Sequence, residues 1–341
     1  MKNEKFLTDI LNQISVGGFP EKLQEVLQKE MASYADEIRT DAIGDTVCVL
    51  NPQAEKKILL AAHADEIGLM VTHIAEDGML HVSRYGGIIP HTYPGQRVQI
   101  ETANGVVYGV VQITRELMKK QDLSASDFLV DIGASCREEA EKLVEPGDGV
   151  VFDTCIRKLA GGRFTARALD DRLGVFIIME ALKRAKERGC SCGVYAGATV
   201  GEETTKNGAR WTAERVKPDA AIVVDVTYTS DYAGVREGDA GRVELGKGPV
   251  LCINPLIVKS MNAKMKTCAE KSDIVYQIET GSGMTCTDAD QIHFANEGIP
   301  TVLVSIPLRY MHSPAEVADE KDVEGCIELI TEFLLDTSAD L

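Results

Sequence analysis

Short apolar runs alternate with amphipathic segments along most of the chain, and this pattern predicts an α/β fold. Unbroken apolar runs are typical of buried strands, and they occur at residues 56–65, 192–199, 220–227, 250–257, 274–279 and 301–308. Segments with a single apolar face predict two helices near the N-terminus and others at residues 170–189, 208–216 and 322–337. Strands that alternate with helices form a sheet covered on both faces. We therefore predict a central mixed sheet flanked by helices.

The middle of the chain has a different pattern. Gly, Pro and Asn turns separate short β-like runs at residues 80–87, 96–102, 105–113 and 147–154. One short helix is predicted at residues 135–144. We therefore predict a β-rich domain of residues 71–160, inserted into a discontinuous α/β domain of residues 1–70 and 161–341.

The composition excludes several classes of protein. The chain has 341 residues, enough for two domains, and a net charge of −17 at pH 7. Because affinity for nucleic acid comes from Lys and Arg, we expect neither nucleic acid nor an anionic membrane surface as a partner. The N-terminal stretch is not typical of a signal peptide, and no apolar run is long enough to span a bilayer. With nine scattered cysteines, we expect a cytoplasmic protein with reduced thiols.

Side chains that bind metals follow several of the predicted strands. In an open α/β sheet, ligands bind where the strands end. The residues at these ends, together with one acid at the start of a predicted helix, are His63, Asp65, Asp170, Glu202, Glu203, Asp225 and His312. Histidines and carboxylates at one sheet edge suit Zn²⁺, Co²⁺ or Mn²⁺. Such a cation would allow the adjacent carboxylates of Glu202 and Glu203 to coexist, one as a ligand and one as a free base.

Each of these residues also has a structural interpretation. Asp170 is an acid in the first turn of a helix, where the helix dipole favours it. Asp225 follows a strand, as turn residues do, and the two glutamates are compatible with a solvated loop. Asp65 is either a turn acid or a hydrogen-bond acceptor that fixes the tautomer of His63. The metal hypothesis therefore depends on their coincidence at one edge.

Several segments that carry these residues resemble the signature blocks of the M42 family of metallo-aminopeptidases. The similarity rests on the sequences AAHADEIGLMV, ARALDDRLGV, VGEETTKNGA, VVDVT, CTDADQIHFANEGIPT and IPLRYMHSPAEV. Two segments of the insert, GGIIPHTYPGQRVQI and DFLVDIGASCREEAEKLVEPGDGVVFD, are also similar to this family. The resemblance thus covers nearly the whole chain, in order and spacing.

The resemblance implies a zinc-peptidase-like domain that binds two divalent metal ions, Zn²⁺, Co²⁺ or Mn²⁺. It implies that His63 and Asp225 bind one ion and that Glu203 and His312 bind the other. Asp170 is then implied as the bridge between the two ions.

The resemblance also implies an activity and a form of assembly. Glu202 is implied as the general base, and Asp65 as the residue that orients His63. The implied reaction is the release of N-terminal amino acids from short peptides. The insert is implied to be a PDZ-like dimerisation domain, and the partner a further copy of the chain, in a homo-oligomer such as the dodecamers of this family.

The segment around the paired glutamates departs from the family pattern. Gly201 stands where many members have Gln, and Asn207 precedes Gly208 where members often have Gly-x-x-Gly. Neither departure removes a ligand, but Gly201 removes a side chain next to the base. We therefore expect a substrate pocket of altered shape.

Three other functions remain open from the residues alone. A glycosidase could use Glu202 with a second acid and no metal, but the two histidines would then be unexplained. A deacylase could use the same metal centre on another amide. A binding protein built on an inactive hydrolase would bind metal without turnover, and the intact set of ligand residues argues against it.

Overall fold

The computed structural model describes residues 2–16, 21–235 and 241–336. The strands in chain order are β1 (Glu37–Thr40), β2 (Thr46–Leu50), β3 (Lys57–His63), β4 (Gly68–Ile74), β5 (Leu80–Tyr85), β6 (Arg97–Thr102), β7 (Gly105–Val111), β8 (Leu129–Asp131), β9 (Gly149–Phe152), β10 (Arg157–Lys158), β11 (Arg163–Ala166), β12 (Gly193–Thr199), β13 (Ala220–Tyr228), β14 (Val250–Ile253), β15 (Gln277–Thr280), β16 (Thr301–Leu308) and β17 (Glu316–Asp319). The helices are α1 (Glu4–Leu11), α2 (Glu21–Met31), α3 (Arg137–Ala140), α4 (Leu169–Glu187), α5 (Asn207–Val216), α6 (Lys259–Lys271), α7 (Ala289–Ile292) and α8 (Glu320–Leu335).

Eight strands form one large mixed sheet, as the alternating pattern predicts. Their order is β1-β2-β12-β3-β13-β16-β14-β15. The four central strands β12, β3, β13 and β16 run parallel, whereas β2 and β14 pair antiparallel with their inner neighbours. Because the central strands run in one direction, their carboxyl ends meet at one edge of the sheet.

The sheet is covered on both faces. Six consecutive residues of β3 are buried, and successive side chains of a strand point to opposite faces. Helix α4 packs against β3, β13 and α8, while α5 packs against β12 and α7. No helix among the described residues is long and apolar enough to cross a membrane.

A second group of strands closes into a six-stranded barrel in the order β4-β5-β8-β7-β6-β9. The barrel strands extend from Gly68 to Phe152, and their buried side chains form a hydrophobic cluster separate from that of the large sheet. The β-rich character expected for this part of the chain is therefore present. The domain boundaries at residues 71 and 160 stay a prediction, as does the dimerisation role.

A small sheet of β10, β11 and β17 joins two segments that matter for the site. Strand β11 leads into α4, and its last residue, Ala166, lies opposite Glu316 in β17. This pairing brings the start of α4 next to the segment that follows β16.

The sequence pattern missed or misplaced several elements. The strand predicted at residues 250–257 ends at Ile253, and the helix α6 that follows was not predicted. Helix α6 contains many polar residues, but its buried Met261, Met265 and Cys268 have helical spacing. The pair β1 and β2 was also missed, because both are short. The predicted closing helix ends at Leu335, and its last predicted residue, 337, lies outside the described residues.

Candidate metal centre

His63 is the last residue of β3 and is buried at the carboxyl edge of the sheet. Its Nδ1 atom lies 3.1 Å from the backbone oxygen of Asp65, and its Nε2 atom lies 3.0 Å from Oδ1 of Asp170. When Nδ1–H donates to the backbone, Nε2 is the nitrogen that can bind a metal. The loop after β3 therefore aims Nε2 at Asp170.

Asp170 stands between two histidines. Its Oδ1 atom faces Nε2 of His63, and its Oδ2 atom lies 3.1 Å from Nε2 of His312. Burial alone would raise the pKa of Asp170, but hydrogen bonds from His312 and His63 hold it below its usual value. Asp170 lies in the first turn of α4, where the backbone is not yet helical, so its carboxylate points to the site.

His312 and Glu203 lie on the other side of Asp170. The Nε2 atom of His312 is 3.6 Å from Oε1 of Glu203. Burial raises the pKa of Glu203 to about 8, and the charge of Asp170 adds to this shift. Burial would lower the pKa of His312, but Asp170 and Glu203 raise it to about 9. Both groups therefore bind a proton more tightly in this site than the free side chains do.

Asp225 completes a second group of donor atoms. The ligand atoms of His63, Asp171 and Asp225 lie within 4.8 Å of one another, as do those of His63, Asp170 and Glu203. Asp225 lies in β13, next to β3, and burial raises its pKa well above the usual value. His63 belongs to both groups, so the predicted ligands are brought together.

Glu202 and Asp65 also lie at this edge. Both are buried, and Oε2 of Glu202 is 4.0 Å from Nε2 of His63. The two carboxylate oxygens of Asp65 accept the backbone N–H groups of Glu202 and Glu203 at 3.2 and 3.3 Å. Its Oδ1 atom is also 3.6 Å from Nδ1 of His63. Asp65 thus connects the loop after β3 with the loop after β12.

Two residues at the site were missed as site residues by the sequence reasoning. Like Asp170, Asp171 has the sequence position of an acid in the first turn of a helix, yet its carboxylate joins the second donor group. Glu316 lies in the segment IPLRYMHSPAEV, but the sequence predicts no role for it. Its carboxylate accepts the backbone N–H groups of Leu169, Asp170 and His312 at 2.7, 3.2 and 2.8 Å. The sequence HSPAEV offers one signal that Glu316 lies near the site, because this acid comes only four residues after His312.

A cavity of about 410 Å³ opens above these side chains. Asp170, Glu202, Glu203, Asp225 and His312 all line it. This volume accommodates a small ligand.

The donor set fits a divalent cation. Buried carboxylates repel one another unless a positive charge compensates them. Burial raises the pKa of Asp171 well above its usual value, with Asp225 adding to the effect, and its Oδ2 atom is buried without a hydrogen-bond partner among the described residues. Histidine nitrogens and carboxylate oxygens are the ligands that Zn²⁺, Co²⁺ and Mn²⁺ share.

Comparison with known proteins identifies the family. The model of the M42 glutamyl aminopeptidase family matches residues 44–329, which include every residue of the site. The chain belongs to the M42 peptidase family. This M42 peptidase is 32% identical to the lysyl aminopeptidase of Pyrococcus furiosus, over 98% of this chain and 97% of the relative.

Solved structures show the same fold over almost the whole chain. The TET aminopeptidase of the marine sediment archaeon Thaumarchaeota archaeon SCGC AB-539-E09 is 31% identical and superposes with a TM-score of 0.91, covering 99% of this chain and 97% of that one. The dodecamer of PhTET1-12s is 30% identical, with a TM-score of 0.87, and the match covers 98% of this chain and 100% of that one. The mixed α/β fold of this M42 peptidase is therefore that of the TET aminopeptidases.

Proposed function

We propose that this aminopeptidase of the M42 family releases N-terminal amino acids from short peptides at a centre of two divalent metal ions. The observation that carries the proposal is the carboxylate of Asp170, whose two oxygens face the Nε2 atoms of His63 and His312. A carboxylate in this position can bridge two cations, each of which also takes one imidazole.

Five side chains would hold the two ions. His63 and Asp225 would bind one ion, Glu203 and His312 the other, and Asp170 both. When bound, the ions supply Lewis-acid chemistry, because they lower the pKa of water and polarise a carbonyl group. The ligand set is shared by Zn²⁺, Co²⁺ and Mn²⁺.

Glu202 is the proposed general base. Its Oε2 atom faces the donor groups, at 4.0 Å from His63 Nε2, and Glu202 belongs to neither close group of ligand atoms. Its carboxylate would take a proton from water and pass it to the leaving amine. Asp65 would maintain this geometry, since it holds the backbone of Glu202 and lies beside His63.

A glycosidase is not favoured for this chain. The family model and the relatives described above are peptidases. Both histidines contact Asp170, an arrangement for which a metal-free pair of catalytic carboxylates has no use. The same centre could act on another amide, and the substrate panel below tests this.

The function is tested by amino-acid release from peptides that differ in their first residue. The protein loaded with Zn²⁺ or Co²⁺ should cleave peptides with a free N-terminus and leave N-acetylated peptides intact. Glu202→Gln should lower kcat by about 100-fold or more, because a positioned base contributes about 10²–10⁴-fold. The control is Glu214→Gln, which removes the charge of a glutamate of α5 that pairs with Arg210.

Each outcome has a distinct meaning. Bound metal should be the same in Glu202→Gln and in the unchanged protein, and a chelator should abolish release in the unchanged protein. Cleavage of cellodextrins that survives the chelator would contradict the proposal. Two bound ions per chain without any release would show that the substrate is not a peptide, and acylated amines would be tested next.

We also propose that the chain forms a homo-oligomer, such as a dodecamer, in which the barrel is a PDZ-like dimerisation domain. We further propose that the protein is cytoplasmic. The support for the oligomer is an exposed apolar row on β7, where Val106, Tyr108 and Val110 alternate along the strand with 41%, 63% and 43% of their surface exposed. Solvent-exposed apolar rows of this kind occur at protein interfaces.

Light scattering tests the assembly. Replacing Tyr108 and Val110 together by Asp should lower the molar mass, because two carboxylates would be buried in the interface. The control is Val275→Asp, since Val275 is 69% exposed and lies outside the barrel. An unchanged mass in the double variant would show that β7 does not form the interface.

A further inference from the structure

A lysine lies inside the cavity, next to the proposed base. The Nζ atom of Lys206 is 2.5 Å from Oε1 of Glu202 and 2.9 Å from the backbone oxygen of Cys286. Lys206 is the only lysine or arginine among the described residues that line this cavity. Neither the family pattern nor the proposed reaction assigns a role to it.

The two oxygens of Glu202 have different surroundings. Oε1 is held by the ammonium group of Lys206, and Oε2 faces Nε2 of His63 at 4.0 Å. Because both oxygens belong to one planar carboxylate, a contact that holds Oε1 also restricts the rotation that would turn Oε2 away. Oε1 is occupied by a charge-assisted hydrogen bond, so Oε2 is the oxygen that remains available to accept a proton.

The lysine is itself held in place. Lys206 precedes α5 with a left-handed backbone (φ 57°), and its backbone N–H donates to Gly201 O at 2.7 Å. The carbonyl of Cys286 is fixed because Asp290 accepts the N–H groups of Thr285 and Cys286 at 2.8 and 2.9 Å. A buried carboxylate thus fixes a loop, the loop fixes the ammonium group, and the ammonium group fixes Glu202.

Burial distinguishes the ion pair of Lys206 and Glu202 from exposed ion pairs between residues four positions apart. Ion pairs four residues apart on exposed surfaces contribute little, because water screens them and side-chain entropy opposes them. Here the side chains of Lys206 and Glu202 are only 19% and 7% exposed. Both charges are largely removed from water, so the loss of one leaves the other without compensation.

We propose that Lys206 is a positioning residue that orients Glu202 so that Oε2 faces the metal centre and accepts the proton of the attacking water. The inference rests on the proposed role of Glu202 as the base. The proton moves from water to Oε2 and then to the leaving amine, while Lys206 keeps its own protons throughout.

Steady-state kinetics of three Lys206 variants test the inference. Lys206→Met removes the charge and all hydrogen bonds, and we expect kcat to fall by about 10-fold or more, a part of the base contribution. KM should change by less than about threefold, because substrate binding does not depend on this contact. Lys206→Arg keeps a cationic donor and should recover part of kcat. Lys206→Gln serves in place of Lys206→Met if the latter does not fold.

A matched ion pair provides the control. Arg210 and Glu214 have the same four-residue spacing on α5, at 2.9 Å, and the Arg210 side chain is 51% exposed. Arg210→Met should leave kcat and KM unchanged. Bound metal, counted by mass spectrometry, should be equal in all variants, which excludes an effect through the ligands.

The decisive comparison combines Lys206→Met with Glu202→Gln, so that the lysine is removed from a protein that already lacks the proposed base. If Lys206 acts through Glu202, Lys206→Met should cause no further loss when Glu202 is already Gln. A kcat of Lys206→Met within about twofold of the unchanged protein would overturn the inference, as would an equal loss in both backgrounds. Full activity of Glu202→Gln would instead overturn the assignment of the base, so the two failures are distinguishable.

Discussion

At the scale of single residues, the site depends on a carboxylate that touches no predicted ligand atom. Glu316 accepts three backbone N–H groups, two at the start of α4 and one from His312. Burial raises the pKa of Glu316 to about 8, with the charge of Asp170 adding to the shift. The group thus fixes the backbone of two ligands from two distant segments of the chain.

We predict that Glu316→Gln weakens metal binding without unfolding the protein. A glutamine has one acceptor oxygen in place of two, so it cannot hold both backbone segments, and its NH₂ group would face an N–H donor. Metal affinity should fall by about 10–100-fold, the usual effect of losing a group that orients ligands. Calorimetric titration with Zn²⁺ measures this change.

The control for this prediction is Glu187→Gln, at an exposed position near the end of α4. Its metal affinity should equal that of the unchanged protein. Equal affinity in Glu316→Gln would show that the backbone of Asp170 and His312 needs no such support.

At the scale of elements, the barrel reaches the centre through the loop after β5. The backbone oxygen of Gly87 lies 2.7 Å from Nδ1 of His312, so it accepts the proton of that nitrogen. Tyr85, the last residue of β5, places its hydroxyl 3.5 Å from Oδ2 of Asp65. The barrel thereby fixes the tautomer of one ligand, and Nε2 of His312 is left to bind a metal.

We predict that Gly87→Ala displaces His312. A Cβ atom at Gly87 would lie 3.1 Å from Cε1 of the imidazole, closer than a normal contact, so the ring must move. The affinity of the ion that His312 would bind should fall by about 10-fold, since the ring can no longer keep both its hydrogen bond and its direction. Metal content after dialysis measures the loss.

Gly283→Ala is the matched control, because no atom lies within 4 Å of the added Cβ atom. It should retain the full metal content. If Gly87→Ala also retained it, the loop after β5 would adapt to the methyl group and the barrel would have no part in holding the ligand.

At the scale of the whole molecule, the metal centre makes stability depend on pH. Glu203 has a pKa raised by burial from 4.5 to about 8, and His312 has a pKa raised by Asp170 from 6.5 to about 9, against the opposing effect of burial. From about pH 4.5 to about pH 9, Glu203 and His312 of the folded metal-free protein therefore bind more protons than they do in the unfolded chain. Its stability therefore falls as the pH rises through this range.

We predict that the Tm of the chelator-treated protein is lower at about pH 8.5 than at about pH 6. With Zn²⁺ present, the trend should reverse, because metal binding requires deprotonated ligands. Differential scanning calorimetry in both states measures the slopes. Glu203→Gln should reduce the slope of the metal-free protein, since one titrating group is lost. A Tm that rises with pH in the metal-free state would contradict the assignment of these shifts.

The large sheet is predictable from the sequence because a strand buried on both faces consists mainly of consecutive apolar residues. Strands β3, β12, β13 and β16 are mostly apolar and almost completely buried, as is typical of strands covered on both faces. Short edge strands such as β1 carry a weaker signal, and the polar composition of α6 concealed its buried face.

The local order of apolar and polar residues is enough to predict the fold class and the residues that lie near the strand ends. The contacts that hold the site together are visible only once the chain is folded. Glu316 and Gly87 act on residues that other segments contribute, through contacts across up to 225 positions of the chain, and Lys206 is held by the carbonyl of Cys286, 80 positions away. Hydrogen bonds between distant segments depend on how the chain is folded, and the periodicity of apolar residues along the chain does not predict them.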